Sequence, residues 1–107
     1  MSDLICLYVT TSSKEEAQKI ARHLVEHKLC ACVNIVGPVE SHYMWDGKLE
    51  TSSEMSLFVK TRLSLEEKVI EEILKYHSYE CPCILSLPIQ GGHEPFLKFI
   101  KKETMPQ

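Results

Sequence analysis

The residues best suited to chemistry in this sequence are an imidazole and two thiols near residue 80. His77 is followed, after three residues, by the segment Cys81-Pro82-Cys83. Thiolates and an imidazole are soft ligands that suit Cu(I) or zinc, so His77, Cys81 and Cys83 form a candidate metal site. Zinc sites usually separate two cysteines by about two to four residues, and a rigid C-x-C on a strand rarely brings both thiolates to one ion. Core packing of small free cysteines is therefore the competing and favoured interpretation.

A second pair of candidate ligands is His23 and His27, one helical turn apart. This spacing chelates a metal when both rings face the same way. Both residues lie on the polar side of a helical pattern, and the sequence guarantees no acidic third ligand, so a solvated surface is the favoured interpretation. Cys30 and Cys32 are interpreted as packing or subunit-contact residues, and Cys6 as a core residue.

Two charged residues on a central strand form a third candidate. Glu54 and Lys60 alternate onto one face, about 20 Å apart along an extended chain, too far to pair within the strand. A charged residue in a central strand needs a partner. We therefore expect Glu54 and Lys60 to pair across subunits or to line a cleft with Tyr79.

A catalytic function is not expected. The segment from Thr10 to Ser13 leads into a helix N-terminus that could hold an anion. Phosphoryl chemistry needs a cationic clamp, and this segment offers no arginine and only Lys14 nearby. The segment also lacks the C-x-x-C pair that a copper chaperone of similar architecture would carry there.

The size and charge of the chain further limit the classes of protein to which it can belong. At 107 residues, 12.3 kDa, 44% hydrophobic and 25% charged, the chain has the composition of one domain over residues 1–107. A net charge of -3 and a pI near 5.9 argue against nucleic-acid binding. The start, Met1 to Leu4, resembles no leader, and no window approaches the ~20 apolar residues of a membrane span. Five cysteines in such a domain indicate reduced thiols, so we predict a cytoplasmic location and no membrane partner.

The first half of the chain predicts a strand, a helix and a long hairpin. An apolar run gives a strand over Leu4–Val9. Ser13 and Glu16 form a capping box for a helix over Lys14–Lys28. Alternation predicts a long strand over Leu29–Trp45, and the Asp46-Gly47 turn reverses the chain into another strand that ends near Lys60.

The second half repeats the pattern. Ser64 and Glu67 form a second capping box, for a helix that ends near His77. A strand over Cys83–Ile89 and a short helix over Phe96–Lys101 complete the chain.

The predicted order is βαββαβ, the ferredoxin-like α+β arrangement, with a long β-hairpin and a short C-terminal helix. This topology places the second and fourth strands at the sheet edges, and these strands carry Pro38 and Pro88. Proline has no backbone N–H group to donate, so it is tolerated at a sheet edge or a bulge. The hairpin extends beyond the sheet and exposes Tyr43 and Trp45 near Lys48. We expect this hairpin to be a self-association interface.

Several segments of the chain resemble the CutA family, the divalent-cation tolerance proteins. The resemblance covers nearly the whole chain, and the segments that carry it are Val9-Thr10-Thr11, His27-Lys28-Leu29-Cys30-Ala31-Cys32-Val33-Asn34, Tyr43-Met44-Trp45-Asp46-Gly47-Lys48-Leu49-Glu50, Glu54, Lys60-Thr61 and His77-Ser78-Tyr79-Glu80-Cys81-Pro82. The resemblance implies a ferredoxin-like homotrimer joined by its hairpins, a link to copper and other divalent-metal tolerance, and no enzymatic reaction. It also implies a trimer similar to that of the PII signal proteins.

The sequence departs from the family at a proposed copper site. Bacterial members with that site close the first strand with a cysteine and place a histidine pair before the last strand, where this chain has Val9 and Tyr76-His77. His77 alone matches, and His77-Ser78-Tyr79 stands in place of His-Pro-Tyr. Cys81 and Cys83 could substitute for the missing thiol.

The resulting hypothesis is a cytoplasmic, non-enzymatic homotrimer that binds a divalent or copper ion without needing it to fold. The alternatives are a PII-like regulatory module that binds a small anion in clefts between subunits, and a purely structural trimer that scaffolds a partner.

Overall fold

A computed structural model of the chain describes residues 3–105, and it is α+β with a four-stranded antiparallel sheet. The elements in chain order are β1 (Leu4–Thr11), α1 (Lys14–Glu26), β2 (Cys32–Trp45), β3 (Lys48–Arg62), a 3-10 turn (Leu63–Leu65), α2 (Glu66–Tyr76), β4 (Ile84–Pro88) and α3 (Glu94–Lys102). The predicted 1–107 domain includes residues 1, 2, 106 and 107, which lie outside the described residues. None of the helices within residues 3–105 has the length and apolar character needed to cross a membrane.

The strands lie in the order β2-β3-β1-β4, which places β2 and β4 at the edges as the prolines predict. Pro38 falls at a shift of register between Val36 and Val39, and Pro88 is the last residue of β4. At both positions, the missing N–H group of proline removes no hydrogen bond from the interior of the sheet. The edge assignment from proline placement is confirmed.

One face of the sheet carries the core. The fully buried side chains alternate along β1 and β3 and meet the apolar sides of α1 and α2; they include Leu7, Val9, Leu57, Val59, Ile20, Leu24, Val69 and Ile73. Burying each such side chain contributes roughly 1.5–3 kcal/mol. This layer fixes the relative positions of the two helices and the central strands.

The opposite face, here named the open face, stays largely uncovered in the chain. Tyr8 of β1 and Phe58 of β3 are paired in register and in edge-to-face contact, with ring centroids 5.3 Å apart. Leu85 and Leu87 of β4 are 56% and 48% exposed on this side of the sheet. The helix α3 approaches one end of this face, where the Lys60 ammonium lies 5.6 Å from the Phe96 ring centroid.

The hairpin turn forms as predicted. Asp46 and Gly47 have φ values of 51° and 76°, the left-handed pair that a type I′ turn needs. The pairing of β3 with β1 runs from Met55 to Arg62, whereas Lys48 to Glu54 pairs with β2. The outer half of the hairpin is therefore a two-stranded ribbon, and it exposes Tyr43, Trp45 and Lys48.

Two elements in the first half of the chain, α1 and β2, are shorter than predicted. α1 ends at Glu26 instead of Lys28, because Lys28 adopts φ 57° and the amides of Lys28 and Leu29 bond back to the carbonyls of Val25 and Leu24. These bonds form a Schellman motif, which stops a helix. β2 begins at Cys32, since the preceding Leu29 and Cys30 are buried in the connection.

The second predicted capping box is wrong. Ser64 lies inside the 3-10 turn Leu63–Leu65, which buries Leu65, and α2 starts at Glu66 without a side-chain cap. The apolar residues Val25 of α1 and Leu74 of α2 lie outside the buried sides of their helices, since they are 43% and 51% exposed. The other predicted elements are present with ends shifted by one to a few residues.

Candidate functional site

The segment between α2 and β4 folds over one end of the sheet. His77 bonds to the carbonyl of Thr10 at the end of β1, and Thr10 in turn donates its amide to the carbonyl of Cys83. Tyr79 reaches across to Glu54 of β3. The end-of-sheet site is defined here as Glu54, Tyr79 and Cys83 with their neighbours Thr10 and His77.

A glutamate at the start of α1 anchors this segment. The carboxylate of Glu16 accepts the amide of Ser78 at 2.9 Å and the amide of Ser12 at 3.2 Å. Burial raises the pKa of Glu16, but the hydrogen bonds from Ser78 and Ser12 and the nearby His77 lower it to a net value below the ordinary one. Ser13 caps α1 by accepting the Glu16 amide, as predicted, while the Glu16 side chain bonds outside the capping box.

The side chain of His77 is completely buried, and both ring nitrogens are engaged. Nε2 lies 2.6 Å from the Thr10 carbonyl, which can only accept, so Nε2 carries the proton. Nδ1 accepts the amide of Tyr79 at 3.1 Å. In this arrangement no lone pair of His77 is free for a metal ion.

Tyr79 and Glu54 form the polar centre of the site. The Tyr79 hydroxyl donates to Glu54 Oε2 at 2.8 Å, and the Glu54 residue is only 7% exposed. Burial, the bond to Glu54 and the Glu54 charge raise the pKa of Tyr79 far above its usual range, and the nearby Tyr43 phenol adds to the effect. Tyr79 is therefore a permanent hydrogen-bond donor to the carboxylate.

The two thiols of the predicted metal site have different surroundings. Cys83 is half-buried, and burial together with the charge of Glu54 raises the pKa of its thiol. Cys81 is exposed. No group of three potential ligands in residues 3–105 is arranged to hold a metal, so the site of His77, Cys81 and Cys83 stays a prediction.

Lys60 lies away from this site, toward the other end of the open face. In register, it stands between Cys6 of β1 and Cys32 of β2, and its ammonium donates to the Asn34 side chain. The partners of the two charged strand residues are thus Tyr79 for Glu54 and Asn34 for Lys60, within one chain. The sequence placed Glu54 and Tyr79 in one expected cleft without predicting their hydrogen bond, and it missed Asn34, because each pair joins segments distant in sequence.

A second polar cluster lies on the outer helical layer and was not predicted. His23 is mostly buried, with 17% of its side chain exposed, and its Nε2 lies 2.7 Å from Oε1 of Glu72 in α2. Hydrogen bonds from Lys75 and then His23 lower the pKa of Glu72 to about 2. The expectation of a solvated His23 is wrong, since its acidic partner is 49 residues away and no local pattern indicates it.

The chain's family follows from comparison with known proteins. A sequence model of the family described as CutA1 divalent ion tolerance protein matches residues 5–103. The chain belongs to this family. The Divalent-cation tolerance protein CutA of Archaeoglobus fulgidus is 45% identical over 94 residues, covering 88% of this chain and 91% of that protein. The family resemblance seen in the sequence is confirmed.

A plant relative and a plant structure agree with this membership. The chloroplastic protein CutA of Arabidopsis thaliana is 43% identical over 100 residues, which cover 94% of this chain but only 55% of that protein. The chain thus spans little more than half the length of that relative. The crystal structure of CutA1 from Oryza sativa superposes with a TM-score of 0.94 at 39% identity, covering 97% of this chain and 95% of that chain. The PII-like alternative receives no support from these matches.

Proposed function

We propose that this chain is a divalent-cation tolerance protein that acts as a ferredoxin-like homotrimer, binds a divalent or copper ion at the end-of-sheet site and catalyses no reaction. The observation that carries the proposal is the buried carboxylate of Glu54, whose charge also acts on the thiol of Cys83. The family is described as divalent ion tolerance proteins, and the end-of-sheet site contains a buried carboxylate that can bind a cation.

The electrostatics of Glu54 support cation binding. Its one hydrogen-bond donor is the neutral Tyr79 hydroxyl, and within residues 3–105 no cationic side chain forms an ion pair with it. A buried charge without an opposite charge is costly. A bound cation removes this cost. A carboxylate oxygen and a thiolate sulfur together suit an ion of borderline softness such as zinc.

The trimer is supported by surfaces that one chain leaves uncovered. The open face exposes Leu85 and Leu87, and the outer ribbon of the hairpin exposes Tyr43 and Trp45. Exposed aliphatic and aromatic side chains on unpaired strand edges are typical of surfaces that oligomers bury. Assembly through both surfaces would enclose the end-of-sheet site in a cleft between subunits, near the base of the hairpin.

Trp45→Ala tests the assembly. We expect the variant to dissociate at a higher protein concentration than the wild type, because burial of an aromatic anchor is lost. Sedimentation velocity over a dilution series measures this shift, and His42→Ala, on the same ribbon, is the matched control. An equally stable trimer in both variants would remove Trp45 from the interface, and a wild type that is monomeric at every concentration would exclude the trimer.

Metal titration of the reduced, metal-free protein tests the site. We expect calorimetry with Zn(II) and Cu(I) to show binding that is weakened in Glu54→Gln and in Cys83→Ser. Glu50→Gln, an exposed acid on the same strand, and Cys81→Ser, an exposed thiol two residues from Cys83, are the controls. Equal affinity in all four variants would exclude the end-of-sheet site. Binding of phosphate in place of metal would favour an anion-binding regulatory module.

A reducing compartment is part of the proposal. All five cysteines are free thiols, and Cys30 is buried with its pKa raised to about 12, mainly by burial. Such thiols suit a cytoplasmic location. Relatives are named chloroplastic and periplasmic, so fractionation of the native cell is the deciding measurement.

A further inference from the structure

The two histidines at the end of α1 are arranged differently from His77. His23 lies in the last turn of α1 and His27 is the residue that follows its end, and their ring centroids are 4.3 Å apart. The two imidazoles, with 42° between their planes, therefore lie side by side on one side of the chain, a point that the i, i+4 spacing alone leaves open. His27 and the cluster around it face away from the sheet, so the end-of-sheet site contributes no residue.

Hydrogen bonds fix the tautomer of each ring. Nε2 of His23 lies 2.7 Å from the Glu72 carboxylate, and Nδ1 of His27 lies 2.9 Å from the backbone carbonyl of His23. A carboxylate and a carbonyl can only accept, so both of these nitrogens carry the proton. The remaining nitrogens, Nδ1 of His23 and Nε2 of His27, therefore hold the lone pairs that a metal needs.

This is the usual surrounding of a metal-binding histidine. Such residues donate their second ring nitrogen to a carboxylate or a backbone carbonyl, which orients the ring and makes the coordinating nitrogen more basic. Glu72 does this for His23, and Lys75 holds the other carboxylate oxygen at 2.6 Å. By contrast, His77 and His42 each have both nitrogens hydrogen-bonded.

Access and packing also favour binding here. His23 lines an open surface cavity of about 480 Å³ together with Tyr76, whose ring centroid is 4.7 Å from that of His23. Glu15 and Glu26 line this cavity together with Lys19 and Arg22, so the charges around the ring balance. The contact with Tyr76 limits the orientations of His23, while exposed His27 keeps room for water as further ligands.

We propose that His23 and His27 form a second metal site, on the outer helical surface, for a divalent transition-metal ion of borderline softness such as Zn²⁺, Ni²⁺ or Cu²⁺. Nδ1 of His23 and Nε2 of His27 are the two protein ligands, water completes the shell, and Glu72 orients His23. Imidazole ligands suit these ions. The site lies within one chain and goes beyond the end-of-sheet site of the proposed function.

Side-chain NMR of the ¹⁵N-labelled, reduced protein tests this site with Zn²⁺ alone as the probe. Long-range ¹H–¹⁵N spectra distinguish the two nitrogens of each imidazole. We expect Zn²⁺ to shift Nδ1 of His23 and Nε2 of His27, with His42 unchanged. His27→Ala should abolish the response at His23, and it is exposed, so the variant should fold. Shifts confined to His77 or His42, or no imidazole shift, would overturn the proposal.

The orienting role of Glu72 needs a separate variant. Glu72→Gln should weaken Zn²⁺ binding at the pair by about tenfold or more, since lost outer partners cost metal sites that much. Glu71→Gln, the exposed neighbour in α2, is the matched control, and equal affinities would exclude the role of Glu72. The Glu54→Gln and Cys83→Ser variants should leave the His23 response intact, so this proposal and the proposed function fail independently.

Discussion

Replacement of Tyr79 by phenylalanine removes one hydroxyl from the end-of-sheet site and leaves the ring in place. The hydroxyl donates to the Glu54 carboxylate at 2.8 Å, in a site where Glu54 is 7% exposed. Hydrogen bonds to charged groups contribute about 1.5–3 kcal/mol, and removing one partner leaves the buried charge without compensation. We expect Tyr79→Phe to lower the free energy of unfolding by about 2 kcal/mol.

The assay is urea unfolding at pH 7 and one fixed protein concentration, since the proposed assembly would add a concentration-dependent contribution to stability. A double-mutant cycle with Glu54→Ala isolates the interaction, and the coupling energy should account for most of the loss in Tyr79→Phe. Tyr43→Phe is the matched control, because its exposed hydroxyl has only a 3.5 Å contact with Ser52. We expect that control to stay within about 0.5 kcal/mol of the wild type.

Two outcomes would refute this reasoning. A loss below about 0.5 kcal/mol would mean that water replaces the phenol at no cost, so that Glu54 is not effectively buried. A full loss with zero coupling to Glu54 would mean that the hydroxyl acts through another group. Either outcome would also weaken the case for a cation at Glu54, which rests on the same burial.

Two further predictions concern α1. Glu16→Gln should destabilise the protein at pH 7, because the pKa of Glu16 is lowered in the folded protein. The stabilisation by this carboxylate is present above the unfolded pKa of about 4.5 and is lost as pH falls through the lower folded pKa, so the difference from wild type should disappear at acid pH. Urea unfolding from pH 3 to 7 measures this, and Glu15→Gln, at the exposed neighbouring acid, is the matched control. Lys28→Gly should raise the free energy of unfolding by about 0.5–1 kcal/mol, because the φ of 57° strains any residue with a Cβ. Thermal unfolding measures the gain, and Lys28→Ala, which keeps a Cβ, should give none. A gain in both variants would contradict the explanation.

Local patterns predicted the elements well, because each depends on residues close in sequence. The Ser13 cap, the Asp46-Gly47 turn and the edge position of Pro88 follow from short-range chemistry. The same chemistry failed at Ser64, where burial of Leu65 in a 3-10 turn displaced the helix start. A capping pattern states a local preference, and tertiary packing can override it.

The site was harder to predict because its contacts join distant segments. The sequence identifies His77 as a candidate ligand, but its availability depends on the Thr10 carbonyl, 67 positions away, which occupies Nε2. For His23, the sequence favours a solvated surface residue, whereas in the fold its hydrogen bond to Glu72 orients the imidazole ring. Residue type and spacing indicated which side chains could bind a metal, whereas the tautomers depend on the tertiary fold.

The unequal pairing of β3 divides the chain into parts of different local stability. Met55–Arg62 is held between two strands, while Lys48–Glu54 has β2 alone beside it. A two-stranded ribbon is marginally stable by itself in water. Amide protons in the ribbon of an isolated chain should therefore exchange by local opening, while those near Leu57 should exchange only on global unfolding. In the proposed trimer, the order of the hairpin would be a property of the assembly, and dilution alone should loosen it without melting the sheet.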